Sequence, residues 1–87
     1  MFMFPEIKTT RSNEEQASKI NDEVGEFELA IRYKDLTEVD KEAIDVWHAA
    51  ETFIRVHFRG RERMLKDLIE QTIAKNTARG YYAEKCY

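Results

Sequence analysis

Apolar residues between positions 13 and 33 recur at steps of three and four, the period of an amphipathic α-helix. Ser12 and Glu15 have the spacing of a capping box, in which each side chain satisfies a backbone amide at a helix start. The pattern predicts a first helix from near Asn13 to about Tyr33. Its apolar stripe consists of Ala17, Ile20, Val24, Phe27 and Ile31.

A second helical pattern runs from about Glu38 to Phe58. Thr37 and Asp40 repeat the capping pattern, which limits the connection between the two helices to residues 34–36. Helices joined so tightly lie antiparallel. The apolar surface is broad enough to indicate contacts on more than one side. Its candidates for burial are Val39, Ala43, Val46 or Trp47, Ala50, Phe53 or Ile54, and Phe58.

Gly60 interrupts this pattern, and a third helix is predicted from about Arg61 to Ala78. Arg79 and Gly80 end it, because glycine tolerates the left-handed backbone that often follows a helix. Its apolar positions are Met64, Leu65, Leu68, Ile69, Thr72 and Ile73. Residues 1–11 contain the only proline and show no sustained period, so they are interpreted as an N-terminal arm preceding one domain, residues 12–87.

The composition agrees with an all-α protein. Of the 87 residues, 43% are apolar, and three glycines and one proline are too few for the turns of a many-stranded β fold. A chain this short buries only about 60–65% of its unfolded surface, so its core is marginal. We therefore expect antiparallel helices to form a four-helix-type bundle that is completed by oligomerisation, as a homodimer or homotetramer.

The net charge of −3 provides no long-range attraction for nucleic acid. No apolar run approaches the roughly 20 residues that span a bilayer, and the first residues lack the pattern of a secretory signal. These features favour a cytoplasmic protein that binds neither nucleic acid nor membrane. Cys86 is the only cysteine, so neither an internal disulfide nor a zinc-finger ligand set is available.

Two pairs of acids are spaced for metal binding. Glu23 and Glu26 lie three residues apart on the first helix, as do Glu42 and Asp45 on the second. This spacing places both members of a pair on one helix face. If both faces point inward, four carboxylates converge and require a hard cation such as Mg²⁺ or Mn²⁺. The alternative is that these acids form an ordinary solvated face.

The end of the third helix carries cations. Lys75 and Arg79, with Asn76 between them, are suited to holding phosphate oxygens. The alternative is that both cations only offset the helix dipole. Trp47 is interpreted as a core residue rather than as a platform for a base.

Together these strings resemble the MazG-like superfamily of all-α nucleoside triphosphate pyrophosphohydrolases. The family pattern of two Glu, two variable residues and Glu, followed by Glu-x-x-Asp, is similar to residues 22–26 and 42–45, and the family's Lys-Asn-x-x-Arg-Gly string is similar to residues 75–80. The resemblance covers about residues 20–82. Asp22 departs from it, because it stands where the family usually has Glu.

The resemblance implies an Mg²⁺-dependent enzyme that cleaves a (d)NTP to (d)NMP and pyrophosphate, in house-cleaning or control of the nucleotide pool. It implies that Lys75, Arg79 and Asn76 hold the polyphosphate and that the first helix contributes base contacts, for which Asn13 and Gln16 are candidates. It implies that Asp22 has an outer role. It also implies that four residues ligate Mg²⁺: Glu23, Glu26, Glu42 and Asp45.

The sequence leaves two alternative functions open. A related possibility is the phosphoribosyl-ATP pyrophosphohydrolase of histidine synthesis, and a different class is a non-catalytic helical interaction module. Asp45 and His48 form an Asp-x-x-His step, but a di-iron bundle needs Glu-x-x-His on two helices and the first helix has no histidine. The sequence also lacks the glycine-rich loop of a P-loop ATPase.

Overall fold

The computed structural model describes residues 2–83, which form three α-helices and no strand. They are α1 (Asn13–Arg32), α2 (Leu36–His57) and α3 (Glu62–Ala78). The prediction of an all-α chain is confirmed. Among these residues no helix combines the length and apolarity needed to cross a bilayer. Cys86 lies outside the described residues.

The described residues divide into two compact units, one ending at His57 and the other beginning at Phe58. The first contains the N-terminal arm, α1 and α2, and the second contains α3. The candidate metal ligands all belong to the first unit.

The start of α1 is a complete capping box, as the sequence predicts. The backbone amide of Glu15 donates to Ser12 Oγ (3.1 Å), and the backbone amide of Ser12 donates to Glu15 Oε1 (2.8 Å). The hydrogen bonds from Ser12 also lower the pKa of the Glu15 carboxyl group. Two of the amides left open at the helix start are thereby satisfied.

The predicted cap of α2 is wrong. The helix begins at Leu36, so Thr37 lies inside it, and the Glu38 amide donates instead to Asp35 Oδ1 (3.2 Å). Lys34 adopts a left-handed backbone with φ of 56°, which lets the chain reverse within residues 33–35. Asp35 therefore performs the role that the sequence pattern suggested for Thr37.

α1 and α2 pack along each other in antiparallel directions. Gln16, near the start of α1, donates from Nε2 to the carbonyl oxygen of Ala49 (3.0 Å), near the end of α2. Ala49 is buried, as is Thr52 one turn further. The small side chains of these residues leave room for α1 to pack closely against α2.

The interior of this helical hairpin is unusually polar. Its buried residues are Gln16, Glu23, Ala30, Ala49, Glu51 and Thr52. The predicted apolar stripe is only partly buried: Ile20, Val24 and Phe27 are half-buried, whereas Ala17 and Ile31 are exposed. Trp47 is 47% exposed, contrary to its interpretation as a core residue. Two packed helices cover only one side of each other, so the remaining apolar surface stays open.

The N-terminal arm folds back on α2. The backbone amides of Met3 and Phe4 donate to the two carboxylate oxygens of Glu51 (3.0 and 2.9 Å). Arg55 Nη2 donates to the carbonyl oxygen of Phe4 (2.7 Å). The Phe4 ring stacks on His48 at 4.4 Å and meets the Trp47 ring edge-on at 5.4 Å. The arm is therefore attached within its own chain, an arrangement that its aperiodic sequence did not indicate.

In the second unit, α3 begins at Glu62, one residue after the predicted start, and ends at Ala78 as predicted. Gly80 has φ of +71°, and the Gly80 and Tyr81 amides donate to the carbonyl oxygens of Thr77 and Asn76 (both 3.0 Å). This is a Schellman motif. Leu65 is the buried residue of α3, while Met64, Leu68, Ile69 and Ile73 are exposed.

Candidate metal centre

Three carboxyl groups from α1 and α2 converge in the first unit. Glu23, Glu26 and Glu42 each offer one oxygen atom, and these atoms lie within 4.8 Å of one another. We call these residues the acidic triad. Oxygens bound to a single Mg²⁺ at about 2.1 Å lie at most about 4.2 Å apart. Small side-chain adjustments therefore suffice for the triad to hold one cation.

Two oxygens of the acidic triad lack the partners that buried carboxylates need. Glu23 is 7% exposed, and Glu23 Oε1 accepts an ion-pair contact from Lys19 Nζ at 2.7 Å. Within the described residues, no group donates to the buried atoms Glu23 Oε2 and Glu42 Oε2. An unsatisfied buried oxygen costs free energy unless a proton or a cation compensates it. The chemistry of this donor set fits a hard divalent cation.

The electrostatics of Glu42 reflect the same crowding. Burial raises the pKa of Glu42, and a hydrogen bond from its protonated form to Glu26 raises it further. Repulsion from Glu26, Asp45 and Glu23 acts in the same direction. All four acids predicted from the sequence are thus close enough to interact, and the most crowded one resists ionisation.

Asp45 and Asp22 differ from the acidic triad in position. Asp45 is exposed and lies outside the group of three. It lines a cavity between the N-terminal arm, α1 and α2, which Glu23 also lines. Three residues along α2 correspond to about 4.5 Å, which moves Asp45 one turn away from Glu42. Asp22 is exposed on α1 and is also outside the group. The structure therefore brings together three of the four proposed ligands.

The proposed phosphate-binding residues lie at the end of α3, in the second unit. Lys75 and Arg79 are exposed and Asn76 is half-buried. The Arg79 guanidinium group lies 5.7 Å from the centre of the Tyr81 ring. The carbonyl oxygens of Lys75 and Asn76 accept the hydrogen bonds that close the helix end. Both cations have the exposure that contact with a ligand requires.

Gln16 is 5% exposed, and both ends of its amide are engaged. Besides donating to Ala49, it accepts a hydrogen bond at Oε1 from Arg11 Nη1 (3.1 Å). Gln16 lines the cavity beside Glu23 and Asp45. The side chain therefore joins the arm to both helices of the hairpin.

Sequence reasoning missed two polar residues that line this cavity, and it considered a third, His48, only as a di-iron ligand. Arg11 comes from the arm, Lys19 from α1 and His48 from α2. The spacing of Lys19 and Glu23 is a readable signal, because residues four apart on a helix commonly pair. The position of Arg11 depends on contacts between distant parts of the chain and has no local signal.

No protein-family model matches the chain, and searches of curated proteins and of solved structures find no match either.

Proposed function

We propose that this protein is an Mg²⁺-dependent nucleotide pyrophosphohydrolase that cleaves a (d)NTP to (d)NMP and pyrophosphate. The observation that carries the proposal is the acidic triad, in which buried oxygens of Glu23 and Glu42 lack donors and lie beside Glu26. The order of acidic and basic strings, which resembles MazG-like enzymes, connects this centre to nucleotide hydrolysis. Mn²⁺ suits the same ligands.

The residues divide the work of phosphoanhydride hydrolysis. Glu23, Glu26 and Glu42 would hold the cation, and Asp45 on the neighbouring turn would complete the set or orient the attacking water. A bound Mg²⁺ supplies relief of charge on phosphate oxygens and a lowered pKa for water. Lys75, Arg79 and Asn76 are proposed to bind the polyphosphate. House-cleaning or control of the nucleotide pool, in the cytoplasm, is the proposed role.

Two alternatives make different predictions. A phosphoribosyl-ATP pyrophosphohydrolase would use the same type of metal centre on a different substrate. A non-catalytic helical module would bind no divalent cation, and its acidic triad would share a proton instead. The partnerless oxygens of Glu23 and Glu42 favour a cation over a solvated acidic face.

The test is a pyrophosphate-release assay with Mg²⁺ over normal and modified (d)NTPs, including phosphoribosyl-ATP. Glu26→Ala and Asp45→Ala should each reduce kcat by at least about 100-fold while the helical circular dichroism signal is retained, because charge relief at the metal is lost. Glu28→Ala is the matched control, since Glu28 is an exposed acid on α1 outside the triad.

The same assay examines the basic residues. Lys75→Ala and Arg79→Ala should raise KM more than they lower kcat, since both are proposed to bind substrate. Full activity of the Glu26 and Asp45 variants would contradict the metal assignment. Absence of turnover on every substrate, together with absence of Mn²⁺ binding, would favour the non-catalytic module.

A further inference from the structure

A cavity of about 130 Å³ lies between the N-terminal arm, α1 and α2. Glu23 and Asp45 line it, so it adjoins the acidic triad. Pockets that enclose a whole small-molecule ligand are usually about 300–1,000 Å³. This cavity is therefore large enough for one part of a nucleotide and too small for all of it.

Two cations line this cavity together with the acids. Arg11 and Lys19 both line it, and the Lys19 ammonium group contacts Glu23 Oε1 at 2.7 Å. The cavity lining has two positive and two negative side chains, and a divalent cation in the acidic triad would offset the charges of Glu26 and Glu42. The acids then no longer give the site a net negative charge that repels a phosphoryl group, and Arg11 and Lys19 supply the local positive charge that attracts one.

The Arg11 side chain is held by a buried support. Arg11 Nη1 donates to Gln16 Oε1 at 3.1 Å, and Gln16 in turn donates to the Ala49 carbonyl oxygen at 3.0 Å. Gln16 is 5% exposed, so the support is buried, whereas Arg11 itself is exposed to solvent. The contact uses one nitrogen of a guanidinium group that has five N–H donors. Arg11 is thus oriented while retaining donors for a phosphate.

We propose that Arg11 and Lys19 bind a phosphoryl group of the substrate in this cavity, beside the acidic triad. The proposal rests on the proposed hydrolase function and adds residues that the sequence motifs do not contain. It makes the N-terminal arm a part of the substrate site, because Arg11 belongs to the arm. The base and sugar extend out of the cavity.

The test uses the full chain and measures binding of inorganic pyrophosphate in the presence of Mg²⁺ by isothermal titration calorimetry. Arg11→Gln and Lys19→Gln should each weaken binding about tenfold or more, the loss of one charge-assisted hydrogen bond. Arg11→Lys should recover only part of the affinity, because lysine lacks the planar fork. Lys8→Gln, a charge change in the same arm outside the cavity lining, should bind as wild type.

A second measurement separates this proposal from the hydrolase function. Mn²⁺ binding without pyrophosphate, followed by electron paramagnetic resonance, should be unchanged in Arg11→Gln and lost in Glu26→Ala. If nucleotide hydrolysis fails but pyrophosphate binding depends on Arg11, the phosphoryl site stands without the hydrolase function. If both Arg11→Gln and Lys19→Gln bind pyrophosphate like the wild type, or if the wild type binds none, the phosphoryl site is refuted, whether or not nucleotides are hydrolysed.

Discussion

Glu42 and Glu51 lie on the same helix, and their surroundings move their pKa values in opposite directions. Burial and neighbouring carboxyl groups raise the pKa of Glu42. Burial also acts to raise the pKa of Glu51, but the amides of Met3 and Phe4, with the charge of Arg55, outweigh it and lower the pKa. One carboxyl group resists ionisation, and the other is fixed in its ionised form by the arm.

The raised pKa of Glu42 predicts how stability responds to pH. Glu42 binds its proton more tightly in the folded protein than in the unfolded chain. The stability that this adds to the folded state is complete at pH values below the ordinary pKa of 4.5, and it is lost as pH rises through the raised pKa. We expect the metal-free protein to lose thermal stability over that interval and Glu42→Gln to remove this loss. Thermal unfolding followed by circular dichroism, with EDTA, measures it.

Mg²⁺ extends this prediction. At pH 8 the cation should raise the melting temperature of the wild type by several degrees, since it binds the ionised carboxylates of the folded state. The Glu28→Gln variant should behave as wild type in both experiments. An unchanged pH profile in Glu42→Gln would contradict the role assigned to this residue.

Glu51 carries a prediction of opposite sign. Because the pKa of Glu51 is lowered, its ionised carboxylate stabilises the folded state at pH values above the ordinary pKa of 4.5. This stability is lost as pH falls through the lowered pKa. Glu51→Gln should loosen the arm, because the charge-assisted acceptor for the Met3 and Phe4 amides is lost. Faster tryptic cleavage after Lys8 and a change in Trp47 fluorescence would report the release. Equal cleavage rates in variant and wild type would argue against the attachment.

At the scale of the helices, local signals were readable and distant ones were not. The capping box at Ser12 and the left-handed Gly80 depend on residues within one turn, and both predictions are confirmed. Thr37 and Asp35 are both able to cap α2, and spacing alone selected the wrong one. The arm attaches through Glu51, dozens of residues away, so no local pattern could indicate its position.

The acidic triad was readable for a different reason. Two residues three apart share a helix face, and a short connection forces the helices to be antiparallel, which together bring Glu26 near Glu42. The relative shift of the two helices along their axes is not encoded in this argument. That shift determines which acid of α2 lies opposite Glu26, and Asp45, one turn along α2 from Glu42, lies outside the triad.

The cap of α1 gives a prediction at this scale. Ser12→Ala should destabilise the first unit by about 1 kcal/mol, the typical cost of losing an N-cap side chain. Ser12→Asp is the control, because its carboxylate can accept the same hydrogen bond from Glu15. Urea unfolding measures the difference. Equal stability of Ser12→Ala and the wild type would mean that the cap adds nothing.

Across the whole chain, much apolar surface remains open. Leu29, Ile44 and Trp47 are about half exposed, and Leu36 is 77% exposed. Full burial of one side chain of this type stabilises the buried state by about 1.5–3 kcal/mol relative to the exposed state. This distribution supports the proposal that a four-helix-type bundle is completed by further copies, as a homodimer or homotetramer.

Association predicts a dependence on protein concentration. The melting temperature should rise with concentration, because only the folded state assembles. Light scattering after size exclusion should give a mass of two or four chains, and Ile44→Glu should reduce it by burying a charge at the contact. Glu28→Lys should leave the mass unchanged. A monomeric mass at every concentration would exclude the assembly.

The side-chain amide of Gln16 fixes the alignment of α1 and α2 along their axes. If α1 slid by one turn, about 5.4 Å, the Gln16 amide would move away from the Ala49 carbonyl oxygen. Both groups would then be buried without this hydrogen bond, at a cost of about 1–3 kcal/mol. The alignment it favours is also the one that sets Glu26 opposite Glu42. A chain with leucine at position 16 would keep every acid and yet be free to slip, so its carboxylates would no longer converge.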